Sequence, residues 1–206
     1  HIDAAAVGGT MAYGSHTDYV AIAGGAGDHL IEVLRDGEVV ISETYTLADG
    51  DTSVVVVGDD NVVPLDLLVL AENVDEPGVG HAGLRITHAA VLGATIDDTK
   101  VDVCSQTGEL FNGSAAGLRY LRTTSNRLLP IGDYDLKITR TDAAGDCAGP
   151  IAIDPPVLTL AEGTKTNLFL VGDGHNRVLA VFTFADGLIG DDGPPPSSGT
   201  LYLPVL

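Results

Sequence analysis

The sequence predicts an all-β fold of two tandem antiparallel β-sandwiches, and three observations support it. Runs rich in Val, Ile, Leu, Tyr and Thr recur about every 8–12 residues between Gly, Asp and Asn clusters, as is typical of sandwich strands. No segment keeps a helical apolar period for three turns. Asp, which favours turns, outnumbers helix-favouring Glu by 22 to 7. Short strands joined by polar turns are therefore expected throughout the chain.

The predicted strands are the apolar or alternating runs between these turn signals. The Asp-Gly pair in Arg35–Glu38 predicts a tight hairpin, and the Gly-Asp pair in Val57–Asp60 predicts a second turn. In chain order, strands are expected at Asp18–Ile22, His29–Leu34, Glu38–Tyr45, Ser53–Val57, Pro64–Leu70, Leu84–His88, Val101–Cys104, Leu118–Thr123, Tyr134–Arg140, Ile151–Leu160, Leu168–Val171 and Leu179–Phe184.

An internal repeat divides the chain into two units. The sequence TLADG at Thr46–Gly50 recurs as TLAEG at Thr159–Gly163, and VVVVGDDN from Val54 recurs as LFLVGDGHN from Leu168. Because both copies read as strand, Gly-Asp turn, strand, each half is expected to hold one copy of the same fold. The predicted boundaries are a first unit at 1–76, a Gly/Pro-rich joint at 77–83, a second unit at 84–187, a spacer at 188–199 and a last strand at 200–206.

The first unit is predicted to lack its opening strand. The second unit opens with LRITHA (Leu84–Ala89) before VDV (Val101–Val103), whereas the first opens at HIDA (His1–Ala4), which resembles VDV. After the Pro-rich spacer, apolar residues alternate as in a half-buried strand. We expect this donor strand to complete the first unit of another copy of the chain, at the place that Leu84–Ala89 fills in the second. Its residues are Thr200, Leu201, Tyr202, Leu203, Pro204, Val205 and Leu206.

The net charge of −19 argues against several classes of partner. A polyanion repels phosphate backbones and anionic lipid headgroups, so neither nucleic acid nor an acidic membrane surface is expected to bind. No apolar run approaches the ~18 residues that a bilayer span needs, since the longest, Val62–Ala71, contains Pro64 and Asp66. The chain begins at His1 rather than Met, which fits removal of a secretion signal. An extracellular or cell-surface location is expected.

The sequence predicts a disulfide and no catalytic or cofactor site. Cys104 and Cys147 are the only cysteines, and an isolated pair in a β unit of secreted type is expected to be bonded. The alternative is two buried thiols. The internal histidines show no metal-ligand spacing, and no GxSxG elbow or Ser/His/Asp set can be assembled, so no enzyme activity is expected. His88, which alternates with Ile86, is expected to be a hydrogen-bonded imidazole in a core or an interface.

Three surface features are candidates for weaker interactions. Asp-rich turns offer oxygen ligands to calcium, but none completes a pattern such as the EF-hand, so at most a non-specific response to Ca²⁺ is expected. Asn112 begins a glycosylation sequon, Asn-Gly-Ser. The one basic cluster is either a solvated strand face or a patch that meets the acidic first unit of a neighbouring copy, and its residues are Arg119, Arg122 and Arg127.

The second unit carries a series of motifs: LRITHA followed by VDV, then DYDLKIT after a Gly turn, then LAEGTKTNLFLVGDG. Together they resemble a bacterial and archaeal secreted domain of unknown function that contains Ig-like repeats. AAVLGATIDDTK replaces the Pro-rich segment of that family, and the first unit matches from its second strand onward. The resemblance implies two tandem Ig-like β-sandwiches at a cell surface and brings no catalytic residues.

Three functions are compatible with these features. The first is an extracellular structural subunit that polymerises head to tail into a filament, with a logic similar to donor-strand complementation in pilus subunits. The second is a monomeric surface module that binds sugar or protein, with the last strand packed on its own chain. A secreted enzyme ranks last because no site can be built.

Overall fold

The computed structural model shows an all-β protein that divides into two compact units. The described residues are 1–7, 9–16, 20–48, 50, 52–58, 63–71, 76–93, 99–112, 116–141, 147–174, 177–186 and 200–202, and they contain no helix. The first unit comprises His1–Val74 together with Gly193–Leu206, and the second comprises Asp75–Asp192. The predicted all-β class is confirmed.

The first unit contains six strands among its described residues. They are β1 (Val20–Ala21), β2 (Gly27–Arg35), β3 (Glu38–Leu47), β4 (Thr52–Val57), β5 (Asp66–Ala71) and β16 (Thr200–Tyr202). One sheet has the order β1-β16-β4-β5, and β2 and β3 form a separate hairpin.

The core of the first unit lies between this sheet and this hairpin. Val54 and Leu67 contribute to it from β4 and β5, and Ile31 and Ile41 contribute from β2 and β3. Each is less than one tenth exposed. Burying such a side chain stabilises the folded unit by about 1.5–3 kcal/mol. The alternation of apolar residues along each strand therefore decides which face of the strand points inward.

The second unit contains the other ten strands. They are β6 (His81–His88), β7 (Val101–Ser105), β8 (Arg122–Thr123), β9 (Arg127–Pro130), β10 (Gly132–Tyr134), β11 (Leu136–Arg140), β12 (Ile151–Ile153), β13 (Leu158–Leu160), β14 (Lys165–Val171) and β15 (Ala180–Asp186). The largest sheet has the order β15-β14-β6-β8, with β9 also paired to β6. A second sheet has the order β12-β11-β7, and β10 pairs with β13.

The second unit is closed by a disulfide beside its core. Leu84, Ile138 and Leu168 come from three different strands of the core and are at most 1% exposed. Cys104 and Cys147 are bonded, with an S–S distance of 2.04 Å, which confirms the predicted pair. Such a bond persists in oxidising environments.

Glycine forms the two Gly-Asp turns that the repeat predicts. Gly58 follows β4 with φ +95°, and a Cβ there would lie 2.3 Å from the carbonyl oxygen of Pro64. Gly172 follows β14 with φ +97°, and a Cβ there would lie 2.3 Å from the carbonyl oxygen of Val178. Both turns therefore need glycine, for its backbone freedom and for its lack of a side chain.

Several strand predictions differ from the structure, among them Tyr134–Arg140, which is divided between β10 and β11. The expected strand Ile151–Leu160 is split into β12 and β13, because Pro155 and Pro156 lack the N–H groups that a ladder needs. β9 was not expected at all. β6 begins at His81, inside the predicted joint, and the predicted strand Leu118–Thr123 is reduced to β8 and an isolated bridge between Leu118 and Val101.

His88 is a buried core imidazole, as predicted. The backbone N–H of Ala90 donates to its Nδ1 at 3.3 Å, and its Nε2 lies against the carbonyl oxygen of Thr99, so the neutral ring carries its proton on Nε2. Tyr120 packs edge-on against the ring at 6.2 Å. Burial lowers the pKa of His88 to about 4.

We expect the second unit to lose stability as the pH falls from about 6.5 to about 4. In that window His88 is protonated in the unfolded chain, where its pKa is about 6.5, but stays neutral in the folded state. This difference lowers the free energy of unfolding by roughly 3 kcal/mol in total. A His88→Gln variant should lack this contribution. Urea denaturation of both proteins at pH 7 and pH 4.5 measures the difference, and an equal loss in both would contradict the prediction.

Candidate assembly site

The place between β1 and β4 in the sheet of the first unit is filled by β16, and we call this place the strand slot. β16 runs parallel to β4, with Leu201 opposite Thr52. It runs antiparallel to β1, with Leu201 opposite Val20 and Thr200 opposite Ala21. Both edges of β16 are therefore paired within the first unit.

β6 fills the corresponding place in the second unit. It runs parallel to β14, with Leu84 opposite Thr166, and antiparallel to β9, with Leu84 opposite Arg127. Thr52 and Thr166 are matching positions of the repeat, each two residues before the matched apolar runs of β4 and β14. Leu201 therefore takes the position in the first unit that Leu84 takes in the second.

β6 indicates what a strand in this place contributes. Leu84 and Ile86 are each 1% exposed and belong to the core of the second unit. In the first unit, the β4 residues opposite β16 are Thr52 and Ser53, and both are buried. An unfilled slot would leave the edge of β4 unpaired, and unpaired strand edges recruit other strands. In the structure, β16 gives this edge of β4 its hydrogen-bonded partner.

A Thr–Asp hydrogen bond occurs across one antiparallel strand pair of each unit. Thr46 Oγ1 donates to Asp28 Oδ1 at 2.5 Å across β2 and β3, and Thr159 Oγ1 donates to Asp133 Oδ1 at 2.7 Å across β10 and β13. Each Thr is the register partner of its Asp. Sequence comparison missed this match because GDHLIEVLR in β2 and GDYDLKITR in the second unit share only Gly, Asp and the final Arg.

The predicted donor strand is described in part. Thr200, Leu201 and Tyr202 form β16 in the first unit, where their backbone pairs as β6 does in the second. The structure contains one chain, and β16 pairs there with the first unit of its own chain. The spacer at 188–199 lies outside the described residues, as do Leu203, Pro204, Val205 and Leu206.

The predicted basic cluster is divided between surface and interior contacts. Arg119 and Arg122 are exposed. Arg127 Nη1 donates to the carbonyl oxygens of Leu110 at 3.1 Å and Phe111 at 3.0 Å, and its guanidinium lies 5.2 Å from the centre of the Phe111 ring. Arg127 therefore holds its own unit together, whereas the other two lie at the surface.

Asn112, the predicted glycosylation site, is buried in the folded protein. The side chain is 5% exposed. Its Oδ1 accepts from the backbone N–H of Val103 at 3.1 Å, and its Nδ2 donates to Asp102 Oδ1 at 3.5 Å. A glycan on Nδ2 would remove that donor from a packed interior.

One of the acidic turns is closed by its own Asp side chain. Asp173 Oδ1 accepts from the backbone N–H of Arg177 at 2.9 Å, closing the turn after β14. Within the described ranges, no group of three or more His, Cys, Asp or Glu side chains could hold a metal ion. Asp59, Asp60 and several other acids of the predicted calcium turns lie outside those ranges.

Comparisons with known proteins were made for the whole chain. No family model matches it, and a search of curated proteins finds no relative of significant similarity. The resemblance to secreted Ig-like repeats therefore stays a prediction. Nowhere in the described ranges does the chain form a helix with the length and apolar character of a membrane span.

Proposed function

We propose that this protein is an extracellular structural subunit that assembles head to tail by exchanging β16 between copies. The observation that carries the proposal is the register of β16, which takes in the first unit the place that β6 takes in the second. β6 belongs to its unit in sequence, whereas β16 follows the whole second unit. A strand that arrives from so far along the chain makes the same contacts whether it comes from its own copy or from a neighbour.

Exchange of this strand predicts an open polymer. The donor, β16, and the acceptor, the strand slot, are different surfaces of one chain, so a contact between copies is heterologous. Heterologous contacts that do not close into a ring extend into a filament. The disulfide and the resemblance to surface repeats support an extracellular location.

The second candidate is a monomeric surface module that binds sugar or protein. The observation that favours it is the pairing of β16 with the first unit of its own chain. In that case the same strand closes the unit internally and leaves no free donor. The two candidates differ in whether β16 and the slot belong to one chain, which a covalent trap can measure.

We expect cysteines at Ala21 and Thr200 to link chains to one another. These residues are register partners across the antiparallel strands β1 and β16, where side chains lie close enough for a disulfide, and Ala21 is exposed. Oxidation of the Ala21→Cys/Thr200→Cys variant should give a ladder of covalent oligomers on a non-reducing gel if strands are exchanged. A single band of monomer would favour the second candidate.

A second pair of introduced cysteines, within the first unit, is the control for disulfide formation on oxidation. Leu30 and Thr44 are register partners within the β2–β3 hairpin. The Leu30→Cys/Thr44→Cys variant should close within one chain under the same conditions and give only monomer. Electron microscopy of the unmodified protein provides the independent test, since filaments are expected only from exchange.

A further inference from the structure

His29 is a buried side chain of β2 that joins two separate segments of the first unit. The residue is 4% exposed. Its Nδ1 lies 2.7 Å from Asp3 Oδ2, and its Nε2 lies 2.8 Å from the carbonyl oxygen of Gly25. Both ring nitrogens therefore face oxygen atoms that only accept hydrogen bonds when Asp3 is ionised.

This geometry favours the protonated ring. A neutral imidazole has one N–H and can serve one of the two oxygens, whereas the imidazolium donates to both. The hydrogen bond to Asp3 raises the pKa of His29, against the opposing effect of burial, and the charge of Asp28 acts in the same direction as Asp3. Across the hairpin its register partner is Tyr45, whose own pKa is raised by burial and by Glu43, so Tyr45 stays neutral.

The two contacts hold the segments on either side of β2. Asp3 belongs to the N-terminal segment, which is also fixed to β2 because Leu30 N–H donates to Asp3 Oδ1 at 2.9 Å. Gly25 belongs to the turn that directly follows β1, where its N–H bonds to the carbonyl oxygen of Ile22. β1 in turn forms one wall of the strand slot.

We propose that protonated His29 is a clamp that holds β1 against β16, and that loss of its proton eases the release of β16 for exchange between copies. The second part rests on the proposed function. When the ring is neutral it has one N–H, and the ionised Asp3 keeps it as the stronger acceptor. The contact with the carbonyl oxygen of Gly25 then lacks a proton, so the turn after β1 is no longer held to β2.

The sign of the pH dependence follows from the raised pKa of His29. The stabilisation is fully present below the unfolded pKa of about 6.5 and is lost as the pH rises through the higher folded value. Between these two values, opening of the slot should become about tenfold more frequent for each pH unit. Low pH therefore keeps β16 in place, and rising pH eases its release.

Amide hydrogen exchange of the full chain tests the clamp. Protection of the Ala21 and Leu201 amides, corrected for intrinsic exchange, should fall with rising pH in the wild type and stay low and flat in His29→Gln. Asp3→Asn keeps an acceptor for the Leu30 N–H but removes the charge, so the protection of these amides should begin to fall at a lower pH. Identical pH dependence in the wild type and His29→Gln would overturn the clamp.

A mixing assay separates this inference from the proposed function. Two preparations of different isotopic mass are combined, and mixed assemblies are followed by native mass spectrometry between pH 6 and pH 9. Mixing that accelerates with pH in the wild type alone supports both proposals. Mixing with the same pH dependence in His29→Gln overturns the clamp and supports exchange. If the amides respond to pH but no mixed species forms, the clamp is upheld and exchange is overturned.

Discussion

The Cys104→Ala/Cys147→Ala variant is expected to lose about 4 kcal/mol of stability in its second unit. The disulfide joins residues 43 positions apart, and closing a loop of that length removes a large conformational entropy from the unfolded chain. Urea denaturation gives the free energy directly. The wild type measured with reductant should match the variant, and the variant should not respond to reductant.

The effect should be confined to the second unit. Both cysteines lie in it, and the β2–β3 hairpin belongs to the first unit, so amide protection in that hairpin should be unchanged. A loss below about 1 kcal/mol would mean that the unfolded chain is already compact around this loop.

A Leu201→Asp substitution is expected to empty the strand slot. Leu201 takes the position of Leu84, which is 1% exposed in the second unit, and an ionised carboxylate in such a place lacks a partner. We expect the first unit to lose at least about 3 kcal/mol, as for large deletions in a core, and any filaments to disappear. Exchange of the β4 amides and electron microscopy measure the two effects.

Three further variants sharpen this experiment. Leu201→Met conserves volume and should retain both stability and assembly. Truncation after Gly199 should reproduce the aspartate variant, while Leu84→Asp should damage the second unit instead. If Leu201→Asp leaves β4 protected and filaments intact, the strand slot has no role in assembly.

The repeat made the strand slot predictable because its signals are local. Two local features align between the copies: the apolar runs after Thr52 and Thr166, and the turns at Gly58 and Gly172. Around Leu201, apolar residues alternate as in a strand. Once the two copies are aligned, no residue at the start of the first unit corresponds to Leu84 of the second unit. Which chain supplies the strand is a question of concentration and spacer geometry, and no residue pattern encodes it.

Polar contacts between residues far apart in the chain could not be predicted from the sequence. The clamp joins His29 to Asp3, and it depends on a turn in which Asp3 and Ala4 both take positive φ, which non-glycine residues rarely do. The burial of Asn112 could not be predicted either, since a sequon says nothing about burial. Arg127 was recognised as basic, but its bonds to two carbonyl oxygens require a loop path that only tertiary packing decides.

The distance along the chain between β5 and β16 also orders events during synthesis. β5 is complete at Ala71, and β16 emerges about 130 residues later, which at translation rates of roughly 5–20 residues per second is a delay of about 6–26 s. The second unit is contiguous in sequence, and its last strand, β15, is complete at Asp186, before β16 is synthesised. The first unit to be made is therefore the last to be completed, and the β16 of a finished neighbouring chain has time to reach it before its own is synthesised.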